Sequence, residues 1–274
     1  MTQRFLALLI GIVLLLATMP VEANYFRQRD SDIDPNVFRI DEKDYMGVKV
    51  DPNVELISQQ GETLTIADFY GKPTILIWSY YTCDGSCSAV NNELKLLLEE
   101  VKRQTIGEHY RILTISFDKN DTLETLKNFR THMELAPQWD ENWTFALLKD
   151  PQQVETTTAK TGFKFFWAPQ DKTFYHPNVF IMLSPEGRIT RYLYALTNSK
   201  KDLELALLEA RRGDFKVNEA IDFVVGLCYS YNYKEGRYTY NIPLFVGLGA
   251  LFIGLSMLLG SVLLFRKKKI KEGT

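Results

Sequence analysis

A protein that grips nucleic acid carries a surplus of positive charge, and this chain has none: 32 lysines and arginines stand against 34 aspartates and glutamates, a formal net charge of −2. Disorder is excluded from the other side, because 46% of the residues are hydrophobic and only 24% charged. There is no internal repeat and no low-complexity tract. Histidine and cysteine are scarce, with three of each. Metal or redox chemistry therefore has to be assembled from His109, His132, His176, Cys83, Cys87 and Cys228.

Both ends are apolar. The run Phe5 to Thr18 follows the single basic residue Arg4 and precedes Pro20 and Val21-Glu22-Ala23. As a helix it would span about 21 Å, short of the roughly 30 Å hydrocarbon core, so residues 1–23 read as a secretory signal peptide. No cysteine follows that run, so a lipid-modified N-terminus is not indicated. Ile242 to Phe265 has no charged residue and is long enough to cross a bilayer. Arg266, Lys267, Lys268, Lys269 and Lys271 follow, and the positive-inside rule keeps 266–274 in the cytoplasm. The expected order is a signal at 1–23, a polar leader at 24–44, one globular domain at 45–213, a juxtamembrane segment at 214–241 and a membrane helix at 242–265. The globular domain then faces the periplasm or another extracytoplasmic space, where paired cysteines oxidise unless a reductant or a metal holds them.

Within the domain, Val54 to Ile57 and Thr63 to Ile66 flank Gln59-Gln60-Gly61 and read as a β-hairpin. Thr74 to Ser79 is an apolar, β-branched run after Gly71 and Pro73, the pattern of a buried central strand. Cys83 and Cys87 come next, then Val90, Leu94, Leu97, Leu98 and Val101 at helical spacing. Strand, cysteine pair and helix open a thioredoxin-like α/β fold. Tyr110 to Phe117 reads as a parallel neighbour of the central strand, Asp121 or Thr122 as the cap of a helix through Met133, and Trp143 to Leu148 as another strand. Pro151 opens a helix that Gly162 stops. Val179 to Leu183 and Ile189 to Leu193 form a hairpin across Ser184-Pro185-Glu186-Gly187, and a helix from Lys201 closes the domain. The cluster Phe163, Phe165, Phe166 and Trp167 reads as core or edge packing.

The cysteine spacing admits two chemistries. An ideal helical i, i+4 pair is too far apart for a disulfide, unless Cys83 lies in the loop before the helix, which Gly85 loosens. Two thiolates about 2.3 Å from a shared metal have sulfurs roughly 4 Å apart, and this spacing suits that at least as well. Helix N-terminal N–H groups favour thiolates, whereas Asp84 opposes them and a bound cation would relieve the repulsion. His109 and His132 read as surface residues at helix ends. His176, directly before Pro177 at the mouth of the penultimate strand, faces the start of the cysteine-bearing helix in a thioredoxin-like sheet. Two thiolates and one imidazole make a three-coordinate site; soft sulfur donors select Cu(I), while a fourth ligand or a water would let the site hold Cu(II). A fourth ligand for structural zinc is not evident. Met133 and Met182 fit core positions better than thioether ligands, and Cys228 has no sequence partner.

Thr82-Cys83-Asp84-Gly85-Ser86-Cys87 after one strand, Ser116-Phe117-Asp118-Lys119-Asn120-Asp121-Thr122 after the next, and His176 before the Val179 to Gly187 hairpin together resemble the Sco/SenC family over about residues 45–212. The resemblance implies a thioredoxin-like copper-binding domain with an extra N-terminal β-hairpin. It also implies a metallochaperone that helps assemble the CuA centre of cytochrome c oxidase, with the oxidase subunit as partner. Cys83, Cys87 and His176 match the family's copper ligands. Gly226-Leu227-Cys228-Tyr229 and the following span look like those of a bacterial subset with a C-terminal membrane anchor. The family usually has proline after each cysteine, where this chain has Asp84 and Ser88, and aspartate before the histidine, where it has Tyr175. The acidic loop is one residue shorter, bringing Asp118 and Asp121 closer. These departures touch the surroundings of the site more than its ligands. The alternative function is a thiol-disulfide oxidoreductase in which Cys83 attacks and Cys87 resolves. A thiol peroxidase would need a polarising constellation that the sequence does not display.

Overall fold

The computed structural model describes residues 38–82, 86–195, 197–211, 229–232 and 237–272. The expected signal peptide, the leader up to residue 37, Cys83 to Gly85 and Cys228 lie outside the described residues, as does the side chain of Cys87. In chain order the elements are α1 (Glu42–Tyr45), β1 (Glu55–Ser58), β2 (Thr63–Thr65), β3 (Thr74–Ser79), α2 (Ser86–Glu100), β4 (Arg111–Ser116), α3 (Leu123–Met133), α4 (Pro137–Asp140), β5 (Trp143–Leu148) and α5 (Val154–Lys160). They continue with β6 (Phe166–Ala168), β7 (Thr173–Tyr175), β8 (Val179–Leu183), β9 (Ile189–Tyr194), α6 (Lys200–Ala210), β10 (Tyr229–Asn232), β11 (Arg237–Tyr240) and α7 (Ile242–Glu272).

Seven strands form one sheet in the order β2-β1-β5-β4-β3-β8-β9. The central β3 pairs parallel with β4, in register from Thr74 opposite Arg111 to Ser79 opposite Ser116, and β4 pairs parallel with β5. On the other side β8 runs antiparallel to β3, and β9 antiparallel to β8. The early β1–β2 hairpin joins the far edge through β5, which is the thioredoxin-like sheet with its extra hairpin. Every residue of β3 is buried, as an unbroken apolar run flanked on both faces requires.

Alternation sorts the apolar residues into two cores. Ile75, Ile77, Ile112, Phe180 and Met182 point to the face covered by α2, α3 and α6, through Leu94, Phe129 and Leu207 among others. Leu76, Trp78, Leu113, Ile115 and Ile181 point to the opposite face, where Ile40, Val154 and Phe163 pack. Ile40 and Glu42 are buried, so the packed body starts before residue 45. The turn between β8 and β9 needs Gly187: its φ is +77°, and a Cβ there would lie 2.2 Å from the Tyr70 ring.

Three features differ from the sequence expectation. The helix after the cysteines ends at Glu100, just short of Val101, the last residue of its expected apolar face. Phe166 and Trp167 are exposed on a small β6–β7 hairpin, whereas Phe163 is core. Before the apolar helix, Tyr229 to Tyr240 supplies a second small hairpin, β10–β11. The helix α7 itself runs unbroken through the basic tail, and its stretch Ile242–Gly260 has a mean hydropathy of 2.3 with none of it buried.

Candidate metal centre

The parallel strands β3 and β4 end side by side, and the loops that leave their carboxyl ends form the crevice where α/β sheets place their chemistry. Of the two residues that follow Ser79, Tyr80 packs in one core and Tyr81 in the other, so they point to opposite faces. Tyr81 enters the helix-covered core, with its hydroxyl 3.0 Å from the Thr114 carbonyl and 2.9 Å from that of Ala146. Tyr80 turns to the other side and meets His176, ring centroids 6.2 Å apart and planes at 90°. Cys83 is three residues beyond Tyr80, at most about 10 Å of extended chain.

His176 is 4% exposed. Its ring is walled by Phe117 at 5.1 Å, Phe163 at 5.7 Å and Tyr80. Phe117, the residue after β4, is the hub of this wall, also packing on Phe165 at 4.8 Å and Phe174 at 5.5 Å. Burial among these rings pushes the His176 pKa below its ordinary 6.5, against the smaller upward pull of the Pro177 carbonyl. That carbonyl accepts from Nδ1 at 3.1 Å, which fixes the tautomer with the lone pair on Nε2. A neutral imidazole with one nitrogen bonded to a carbonyl is the form in which histidine ligates metals. The donor chemistry on this side therefore fits a soft cation that thiolates would share.

The cysteine-bearing helix is fixed by a residue that pattern reading passed over. Asn91, one turn after Cys87 on α2, is fully buried. Its Nδ2 donates to Ser79 Oγ at 3.3 Å, and its Oδ1 accepts from the Thr114 hydroxyl at 3.1 Å. Trp143 Nε1 donates in turn to Thr114 Oγ1 at 3.0 Å. An asparagine among apolar helical residues was the available signal.

Asp121 also has a different task from the expected one. Thr122 is the N-cap of α3, its hydroxyl accepting from Thr125 N–H. The Asp121 carboxylate accepts from the Tyr81 N–H at 2.7 Å and from the hydroxyls of Ser116 and Thr125, tying the exit of β3 to the loop after β4. Partial burial raises its pKa, and those hydrogen bonds oppose the rise. Beside this exit lies an open cleft of about 990 Å³ lined by Tyr80, Thr82, Phe117, Phe165, Trp167 and Phe174.

The other candidates are elsewhere. His132 Nδ1 bonds the Asn128 carbonyl within the last turn of α3, and His109 Nδ1 accepts from Thr105 N–H in a surface loop. Met133 and Met182 are core residues. Among the described residues no group of three His, Cys, Asp or Glu gathers as a metal site.

Solved structures similar to this chain include a protein of Aquifex aeolicus VF5 described as an electron-transfer protein, 28% identical over 61% of this chain and 94% of its own, with a TM-score of 0.55. A SCO1/SenC family lipoprotein from Bacillus anthracis is 14% identical, covering 62% of this chain and 96% of that one at a TM-score of 0.52. ScoI of Arabidopsis thaliana, solved with copper bound, is 18% identical over 60% of this chain and 99% of its own, with a TM-score of 0.49. No curated protein sequence matches the chain. A model of the SCO1/SenC family matches residues 43–206, more than half of the sequence and all of the crevice just described. The chain belongs to the SCO1/SenC family.

Proposed function

We propose that this protein is a membrane-anchored copper chaperone in which Cys83, Cys87 and His176 hold the metal and pass it to the oxidase subunit that carries the CuA centre. The observation that carries the reading is the state of His176: buried, neutral and tautomer-fixed, against the residue that leads from β3 to Cys83. Copper is cargo here, so the site has to release it. Two thiolates and one imidazole leave a coordination position through which an acceptor's sulfur can enter, and ligand exchange then proceeds one bond at a time. The aromatic walls keep His176 unprotonated below its ordinary pKa, so the imidazole remains a ligand in a mildly acidic compartment. The cleft lined by Thr82, the residue before Cys83 in the sequence, gives an acceptor segment room.

The hydrophobic α7 supplies the anchor and the basic residues after it set the orientation, with the globular domain outside the cytoplasm and residues 266–274 inside. Arg191 to Glu209 and the rest of the folded body then face the space in which the CuA subunit is assembled.

Copper titration of the reduced full chain, native against His176→Ala, tests the reading. One copper per chain is expected for the native protein and much weaker binding for the variant. A native chain that binds no copper at stoichiometric metal while turning over glutathione disulfide would leave the thiol-disulfide oxidoreductase alternative, with Cys83 attacking and Cys87 resolving, in its place. That chemistry depends on the two sulfurs and tolerates loss of the imidazole.

A further inference from the structure

The hairpin β10–β11 is a sheet of its own, outside the seven-stranded one, and is firmly held, with Tyr238 packed against the helix-covered core. Tyr238, in β11, donates its backbone N–H to Asp202 Oδ1 at 2.9 Å and its hydroxyl to Glu209 Oε2 at 2.6 Å, seven residues farther along α6. Glu209 is gripped from the sheet by Arg191 of β9, whose Nε donates to it at 3.0 Å and whose Nη2 makes a second bond. The Arg191 guanidinium also lies 5.9 Å from the centre of the Tyr238 ring. Asp202 has two duties: its other oxygen closes the capping box of α6 with Ser199. At the hairpin's base, Tyr229 pairs with Tyr240, and the Lys201 ammonium sits 3.8 Å from the first ring's centre and 5.3 Å from the second. Only Asn241 separates Tyr240 from the first residue of α7.

Topology says which end of the sheet this base occupies. Tyr194, the last residue of β9, pairs with Val179, the first of β8, three residues after His176. The helix α6 begins six residues after Tyr194, so Lys201 and Asp202 stand at the end of the sheet where β3 and β4 terminate and His176 enters β8. The opposite end carries the Ser184–Gly187 turn.

We propose that β10–β11 is a clamp that holds the metal-site end of the sheet toward the bilayer, so that the site works against a partner close to the lipid surface and not at the end of a loose tether. The proposal rests on reading α7 as a membrane anchor. With a flexible linker the domain would tumble and both ends of the sheet would sample the lipid equally. The clamp instead fixes Tyr240, and through it the start of α7, to the first turn of α6.

The strand β4 is a built-in ruler of roughly 20 Å by its six-residue rise. An azide-bearing residue placed at Glu108, before its start, or at Lys119, after its end, is exposed and can carry a donor dye without touching the cysteines. The full chain is reconstituted into phosphatidylcholine nanodiscs containing rhodamine-headgroup lipid. Energy transfer is expected to be about twofold greater from position 119 than from position 108. Tyr238→Phe combined with Lys201→Ala should bring the ratio close to one while circular dichroism stays native, and Lys201→Ala alone, on an exposed side chain, should lower it partway. A native ratio of one or less, or a ratio unmoved in the double variant, overturns the clamp. A chain that does not co-purify with the nanodiscs overturns the anchor reading and the clamp with it, so the two failures are distinguishable.

Discussion

Around His176 and around Tyr238 the chain builds two aromatic assemblies of opposite design. The first sets mainly hydrocarbon rings, Phe117 and Phe163, beside Tyr80 around an imidazole whose Nδ1 donates to the carbonyl of its neighbour Pro177. The second uses tyrosine, whose hydroxyl reaches a carboxylate that an almost fully buried arginine already holds. A wall of hydrocarbon shapes the protonation of what it encloses, because it withdraws water and supplies no countercharge. A ring with a hydroxyl is a connector, because burial of its polar tip demands a partner and so fixes where the ring can sit. One assembly conditions an imidazole and the other joins two parts of the chain.

The largest expected effect comes from opening the hydrocarbon wall. Phe117→Ala removes its hub and should cost about 3–5 kcal/mol of stability by urea titration, the range for a buried phenylalanine cut to alanine. In the same variant the His176 pKa, followed by NMR, should move up toward 6.5 as water enters. Next is the proposed ligand: His176→Ala should weaken copper binding about 100-fold or more, ~2.8 kcal/mol, because loss of a mere outer partner of a ligand costs 10- to 100-fold. Unchanged affinity by competition with a chromophoric chelator would show that the wall encloses a structural histidine.

The connector should be cheaper to break. Tyr238→Phe keeps the ring and deletes one hydrogen bond to a charged group, about 1.5–3 kcal/mol. Hydrogen exchange should quicken in β10–β11 and leave β3 and β4 unaffected; uniform quickening would mean that the hairpin is part of the main core. The smallest effect is in pH. Because the folded pKa of His176 is lowered, its neutral form contributes stability that is present above about 6.5 and lost as pH falls through the folded value. The reduced, metal-free native protein should therefore lose stability on acidification below pH 6.5 more steeply than His176→Gln, and parallel curves would contradict the burial argument.

Much of the site's frame was legible beforehand. Thr74 to Ser79 had to be central because the five successive apolar or β-branched residues Thr74 to Trp78 leave no face for water, and His176 before Pro177 could be placed once the hairpin of Val179 to Leu183 was recognised. Three-residue strands such as β6 and β7 leave no period to detect, so the exposure of Trp167 was hidden. The two tasks of Asp121 could not be separated by pattern, since a carboxylate before a helix looks like a cap whether it bonds Thr125 or the distant Tyr81 N–H. Asn91 and Tyr238 were hidden for the same reason: their partners lie 12 to 36 residues away, and hydrogen bonds across such separations leave no local periodicity.

The central strand with its parallel neighbour, the two hairpins of the main sheet, the apolar helix at Ile242–Gly260 and the three candidate ligands follow from the sequence, because burial and spacing along the chain are written in residue type and period. That Phe117 encloses His176, that Asn91 pins the helix bearing Cys87, and that Tyr238 ties the approach to α7 onto Glu209 were decided only when the chain closed on itself. Each of these contacts depends on which end of which strand two distant residues reach, and that is fixed by the packing of the whole sheet and not by any segment of it.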